Sequence, residues 1–176
     1  MIARRPRFAM IKRTVNSLLI ESGVFGPAVP VEKIAEEAGI EVRYGDLGEI
    51  SGLLARKPGI TIIGVNVEQP NVRQRFTIAH ELGHYLLHEG IGEHADRDYR
   101  INFRDSSSSE ASNVLEIEAN FFAANLLMPE EFLERDDAES AIEDDQGVAD
   151  LAAKYDVSRH AMSLRIGKIY GHLRPF

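Results

Sequence analysis

The sequence predicts an α+β protein from three observations. Segments with apolar residues at helical spacing flank one stretch, Ile40 to Val67, that is rich in Ile, Val and Thr and is cut by glycine and proline. No apolar run approaches the roughly 20 residues that a membrane span needs. Hydrophobic residues at 44% and charged residues at 27% supply enough apolar surface for one real core. The expected arrangement is a single domain over residues 1–176, with a small antiparallel sheet of about three strands packed against helices and a helical C-terminal region near 146–172.

Each element has its own signal. Ile11, Val15, Leu18 and Leu19 stand at helical spacing, and Gly23 ends that run. "VPVEKIAEEAGI" places proline near the start of a short helix from Pro30 to Ala38, with Gly39 at its end. "IEVRY", "ISGLLARK" and "GITIIGVNV" read as three short strands in a meander. Pro70 and Asn71 open a helix from Val72 to about His88. "RDSSSSEASN" begins as a loop or a capping segment, and "EASNVLEIEANFFAANLLM" then continues as a helix to Pro129. After an acidic stretch, Glu134 to Asp145, expected to be a solvated face, two helices are expected around Val148 to Tyr155 and Ser158 to Tyr170.

Composition narrows the function classes. With no cysteine, a metal must be held by nitrogen and oxygen ligands. A net charge of -8 disfavours a broad phosphate-binding face. Arg4, Arg5, Arg7, Lys12 and Arg13 are the exception, expected to be a solvated, partly mobile end. The basic start lacks an apolar stretch with a small-residue cleavage site, so no signal peptide is read and a cytoplasmic location is expected.

The chemistry concentrates in "FTIAHELGHYLLHE", residues 76 to 89. Residues four apart on a helix stand one above the other, so His80 and His84 aim two imidazoles at one point. Glu81 lies about 100° round the helix, within reach of a water at that point. Gly83 costs the helix about 1 kcal/mol relative to alanine, which points to a neighbour packed closely against it. A third ligand has to come from elsewhere, and "LEIEANFFAANLLMP" offers Glu116 and Glu118 in an apolar setting. Glu116 shares a face with Asn120, a candidate supporting amide, whereas Glu118 points about 200° away and is expected to face outward or to pair elsewhere. His88 continues the rhythm one turn further on, about 6 Å from His84 along the axis, and reads as a packing or supporting residue. The candidate oxyanion donors Tyr85, His88, Tyr155 and His160 have no signal that separates them from structural residues.

These motifs together resemble the ImmA/IrrE metallopeptidases. The resemblance rests on "PVEKIAEEAGIEV", "IGVN", "RQRFTIAHELGHYLLH", "FRDSSSSE" and "EIEANFFAANLLMP", in that order along most of the chain. It implies a zincin-like, gluzincin core with one Zn2+ on His80, His84 and Glu116, and Glu81 as general base for peptide hydrolysis. It favours Glu116 over Glu118, because the family's ligand lies four residues before the Asn or Asp position, here Asn120. It also implies a regulatory role, with a helix-turn-helix repressor or similar protein as substrate.

Two other readings stand beside this one. A protein that keeps the metal site but acts by binding a partner, as an antitoxin would, needs the same ligands without hydrolysis. A DNA-binding regulator is suggested by the helix, turn, helix rhythm of "VADLAAKYDVSRHAMSLRIGKI", although the second helix offers only Arg159, Arg165 and Lys168 as cations. Direct nucleic-acid binding is therefore not expected. The serines Ser106 to Ser109 are read as loop or cap residues, since no Ser-His-Asp arrangement can be drawn from their spacing.

Overall fold

The computed structural model describes residues 5–88, 93–96 and 110–171. Helix α1 (Phe8–Glu21) buries Ile11, Val15 and Leu19, a four-residue rhythm that makes one apolar stripe. Helix α2 (Val31–Glu37) follows Pro30 and buries Val31, Ile34 and Ala35. The chain then enters strands β1 (Ile40–Gly45), β2 (Gly52–Lys57) and β3 (Ile60–Asn66), and a later strand β4 (Glu93–Asp96) completes a sheet of order β1-β3-β2-β4.

The α+β class holds, but the sheet is mixed where an antiparallel meander of three strands was expected. β2 and β3 form an antiparallel hairpin closed by Pro58 and Gly59, with Gly59 at φ +81, the left-handed conformation that glycine takes without steric cost. β1 instead runs parallel to β3, with Ile40 opposite Thr61 and Gly45 opposite Asn66. The physical reason is burial. β3 is the most apolar strand, with Ile63, Gly64, Val65 and Asn66 buried, and it takes a central position. β1 carries Glu41 and Arg43, which pair with each other at 2.7 Å, and it sits at the edge, where charge discourages further strand addition. Asn66 secures the crossing between β1 and β2: its amide donates to the Gly48 and Ile50 carbonyls, each at 3.0 Å.

Helix α3 (Asn71–Leu87) packs on β2 and β3 with one side and on helix α4 (Glu110–Leu127) with the other. α4 contributes Phe122, Ala123, Leu126 and Leu127 to the same core. Between Pro129 and the acidic stretch runs helix α5 (Glu130–Arg135), which buries Phe132 and Leu133 and which the sequence reading did not identify. Within the stretch Glu134, Asp137, Glu139, Asp144 and Asp145 are exposed, as expected of a solvated face, and Ser140–Glu143 forms a turn of 3-10 helix. Helices α6 (Asp145–Tyr155) and α7 (Arg159–Tyr170) follow, with Asp144 and Ser158 capping their N-termini through side-chain oxygens. Among the described residues no helix is long and apolar enough to cross a membrane. The serines Ser106 to Ser109 lie outside the described residues.

Two glycines let these layers approach. A Cβ on Gly83 would stand 3.0 Å from Phe122 Cδ1 and 3.2 Å from its Cβ, so α3 and α4 touch at backbone distance. A Cβ on Gly52 would overlap the methyl of Thr77, a buried β-branched residue of α3 with little rotamer freedom. The two substitutions therefore differ. Gly83→Ala gains about 1 kcal/mol of helix propensity against a few tenths of an ångström of crowding, and its net effect on stability is expected to stay within about 1 kcal/mol. Gly52→Ala has no such offset and is expected to cost about 2 kcal/mol or more. Chemical denaturation of both variants checks the ordering, and a Gly83→Ala loss larger than the Gly52→Ala loss would contradict it.

The C-terminal helices are tied back through Asp136, which accepts from Tyr155 Oη at 2.9 Å and from Lys154 Nζ at 2.6 Å. Burial alone would raise the Asp136 carboxyl, but these two donors and the nearby cations hold it below the ordinary value. A depressed carboxylate stabilises the fold above its unfolded value of about 3.9, and this support fades as pH falls through the lower folded value. Asp136→Asn is expected to lower stability at pH 7 by about 1 kcal/mol after solvent screening. The gap to the unmodified protein should close on acidification below about pH 4, as thermal melts at stepped pH would show.

Candidate metal centre

Three of the 17 residues of α3, together with His88 just past its end, carry the site, and its burial explains how they are held. His80, Glu81 and His84 are all fully buried, and His88 at the helix end is 4% exposed. Polar side chains removed from water this completely need partners. His80 Nδ1 lies 3.1 Å from Asn120 Oδ1, an oxygen that can only accept, so His80 donates from Nδ1 and keeps a lone pair on Nε2. His84 Nε2 lies 2.9 Å from His80 Nε2, while His84 Nδ1 faces His88 Nδ1 at 3.0 Å.

The carboxylate from α4 completes the group. Glu116 Oε2 is 3.4 Å from His80 Nε2, and Glu116 Oε1 is 3.3 Å from His84 Nε2. One donor atom from each of His80, His84 and Glu116 lies within 4.8 Å of the others. Donors spaced at 2.9 to 3.4 Å match the mutual spacing of ligands on one ion with bonds of about 2 Å. Two imidazole nitrogens and a carboxylate, converging from two helices, fit a metal ion of the kind nitrogen and oxygen donors favour. The Glu116 side chain is 37% exposed while both imidazoles are sealed, so the site opens to solvent on the α4 side.

Of the two alternatives for Glu118, the structure shows pairing elsewhere. Glu118 is fully buried and receives the Arg7 backbone N–H at 2.7 Å, Arg7 Nη2 at 2.6 Å and Nε at 3.0 Å, and it lies 3.1 Å from His88 Nε2. Burial alone would raise its carboxyl; the hydrogen bonds from Arg7 and His88, with the Arg7 charge, outweigh burial and hold it down at about 2. Burial likewise pulls His88 toward its neutral form against the opposing pull of Glu118. The expected solvated basic end holds for exposure but misses one tie: Arg7, 40% exposed, is bound to the buried Glu118, while Lys12 stays exposed and pairs with Glu130 at 2.6 Å at the surface.

Arg56 is a second residue that local sequence reading missed. From β2, its Nη2 donates to the Tyr85 carbonyl at 2.8 Å and the His84 carbonyl at 3.2 Å, and its guanidinium lies 4.8 Å from the centre of the Tyr85 ring. It caps the carbonyl end of α3, where the helix dipole favours a cation. Nothing in "GLLARK" singles out this arginine, because its partner helix begins well beyond the strand. Of the oxyanion candidates, Tyr155 donates to Asp136 and His88 pairs with Glu118, His160 is exposed on α7, and Tyr85 has its ring face and carbonyl, not its hydroxyl, against Arg56.

Comparison with known proteins places the chain in a family. Residues 35–166 match the family model described as the IrrE N-terminal-like domain, Peptidase_M78. Metallopeptidase ImmA of Bacillus subtilis is 30% identical over 125 residues, which cover 70% of this chain and 66% of that protein. Radiation response metalloprotease IrrE of Deinococcus radiodurans is 36% identical over 102 residues, or 55% of this chain and 29% of that protein. Among solved structures, a Mycobacterium tuberculosis transcriptional regulator shares the fold at a TM-score of 0.62 and 20% identity, covering 90% of this chain and 46% of the other. The chain spans just under two thirds of the first relative and less than a third of the second. With a family match over most of its length and His80, His84 and Glu116 converging on one point, the chain belongs to the IrrE N-terminal-like family, Peptidase_M78.

Proposed function

We propose that this chain is a zinc-dependent endopeptidase acting on a protein substrate, with His80, His84 and Glu116 as metal ligands and Glu81 as the catalytic base. The observation that carries the reading is the convergence of His80 Nε2, His84 Nε2 and the Glu116 carboxylate beside a buried Glu81 one residue along the same helix. Two imidazoles, one carboxylate and no thiolate are a donor set that suits catalytic zinc. The chemistry supplied by a bound zinc ion is Lewis acidity, which polarises a carbonyl and makes water acidic enough to lose a proton near neutral pH. Glu81 receives that proton on a carboxylate oxygen and delivers it to the nitrogen of the leaving amine. Asn120 keeps the His80 lone pair on Nε2 throughout, and the half-exposed Glu116 marks the side from which a peptide enters. The substrate class we propose is a regulatory protein, with a helix-turn-helix repressor as the first candidate. Support comes from the family resemblance, and the exposed side of Glu116 gives a protein substrate access to the site. Cytoplasmic action on such a partner is part of the same proposal.

Two measurements test it. Zinc at 100 times its dissociation constant should stabilise the protein by about 2.7 kcal/mol, seen as a higher melting temperature that chelator removes. His80→Ala should abolish the shift, and a shift that persists in that variant would place the ion elsewhere. For catalysis, Glu81→Gln should retain zinc and partner binding while cleavage of a co-expressed repressor falls on the order of 100-fold to 10,000-fold. Fragments produced at the unmodified rate by Glu81→Gln would rule out Glu81 as the base. Unchanged biological activity without any fragments would favour a protein that acts by binding alone.

A further inference from the structure

We propose that His88 and Glu118, clamped by Arg7, are positioning residues that fix the tautomer and ring orientation of His84; this rests on the metal-site reading above. With His88 neutral, the donors and acceptors run in one direction, and they leave lone pairs on both the His80 and the His84 Nε2 atoms, 2.9 Å apart, where an ion would bind. Glu118 is encircled by Arg7 donors and acts purely as an acceptor, so His88 donates to it from Nε2 across 3.1 Å. A neutral imidazole that donates through Nε2 has its lone pair on Nδ1. That lone pair faces His84 Nδ1 at 3.0 Å, so His84 donates there. The remaining lone pair of His84 then sits on Nε2, the atom that faces His80 and Glu116. A buried carboxylate therefore orders the outer nitrogen of His84 through an intervening imidazole, and both supporting side chains are at most 4% exposed.

Arg7 is what makes a buried Glu118 tolerable. Its guanidinium and backbone N–H together satisfy both carboxylate oxygens, and Nη2 also donates to the Leu87 carbonyl at 3.0 Å, at the last turn of α3. One residue preceding α1 thus joins the end of α3 to the middle of α4. Arg7 lies outside residues 35–166, the segment that matches the family model, so the anchor belongs to a part of this chain that the match does not cover. An uncompensated carboxylate at this depth would be strongly destabilising, which makes the clamp and the relay one unit.

The test reads the tautomer and the metal affinity separately from activity. In metal-free, nitrogen-labelled protein, long-range proton–nitrogen spectra should show His84 protonated on Nδ1 and His88 on Nε2. His84 protonated on Nε2 in the unmodified protein overturns the proposal. His88→Phe, which fills the space without an acceptor, should weaken zinc binding roughly 10-fold to 100-fold in a chelator competition. His88→Gln, whose amide can accept from His84 and donate to Glu118, should recover most of that loss. Zinc affinity within twofold of the unmodified protein in a folded His88→Phe variant overturns the proposal, as does equal weakening in the Phe and Gln variants. If His88→Phe does not fold, the tautomer of the unmodified protein decides alone. An unmodified protein that binds no zinc would overturn the site reading itself, whereas the tautomers, read without metal, still support or overturn the hydrogen-bond chain.

Discussion

The close approach of α3 and α4 is the constraint on which the site depends. Gly83 leaves only a gap for the Phe122 ring, and on either side of that contact the interface contains four fully buried polar side chains, His80, Glu81, His84 and Glu118. Burying such groups singly costs several kcal/mol each. Here the same apolar contact that removes them from water also brings their partners within hydrogen-bond distance. A wider helix separation would lose both effects together: Glu116 would leave the imidazoles, and the buried polar groups would become exposed.

Two arginines reinforce the half of α3 that carries His84 and His88. Arg56 arrives from the sheet and takes the His84 and Tyr85 carbonyls; Arg7 arrives from the chain before α1 and takes the Leu87 carbonyl. The Tyr85 and Leu87 carbonyls are among those a helix leaves without internal partners at its end, whereas the His84 carbonyl also accepts the His88 N–H at 3.2 Å; together they lie at the negative pole of the helix dipole. Cations on both sides therefore hold the last turn against fraying, in a region where a misplaced imidazole by 1 Å would spoil a ligand geometry.

Local periodicity and spacing made the helices, the paired imidazoles and the shared face of Glu116 and Asn120 legible in the sequence. The close neighbour of Gly83 was legible too, through the stability that glycine gives up in a helix. Pairing over long separations was not. The position of β3 between β1 and β2 follows from which strand is most apolar on both faces, a comparison among strands that no single segment contains. Glu118 shows the same limit at the level of one residue. Its partner Arg7 is 111 positions away, and a local count of charges placed that arginine in a solvated tail. Helix α5 was hidden for a different reason: Pro129 ends α4 and immediately starts another helix, and the acidic residues after it favour the positive end of a helix dipole as readily as they favour solvent.

The helix pair at the C-terminal end has a packing role that accounts for its buried arginine. α6 and α7 meet through a three-residue turn in which Asp156 is left-handed, the rhythm that suggested a DNA reader. Yet Arg165 is only 6% exposed, and it donates to the Met128 carbonyl at 3.0 Å and to Asn125 Oδ1 at 2.9 Å. Lys168 lies over the rings of Phe8 and Phe121, and Arg159 donates to the Asp145 carbonyl. Arg165 is thus withdrawn from the surface, where phosphate binding takes its charge, while Arg159 and Lys168 stay exposed. The effect of Arg165 is on α4 instead. Arg165 holds its C-terminal end and Arg7 holds Glu118 further up, so the helix that presents Glu116 is pinned at two points by residues from opposite ends of the chain. A helix fixed in this way holds Glu116 at 3.3 to 3.4 Å from the α3 imidazoles.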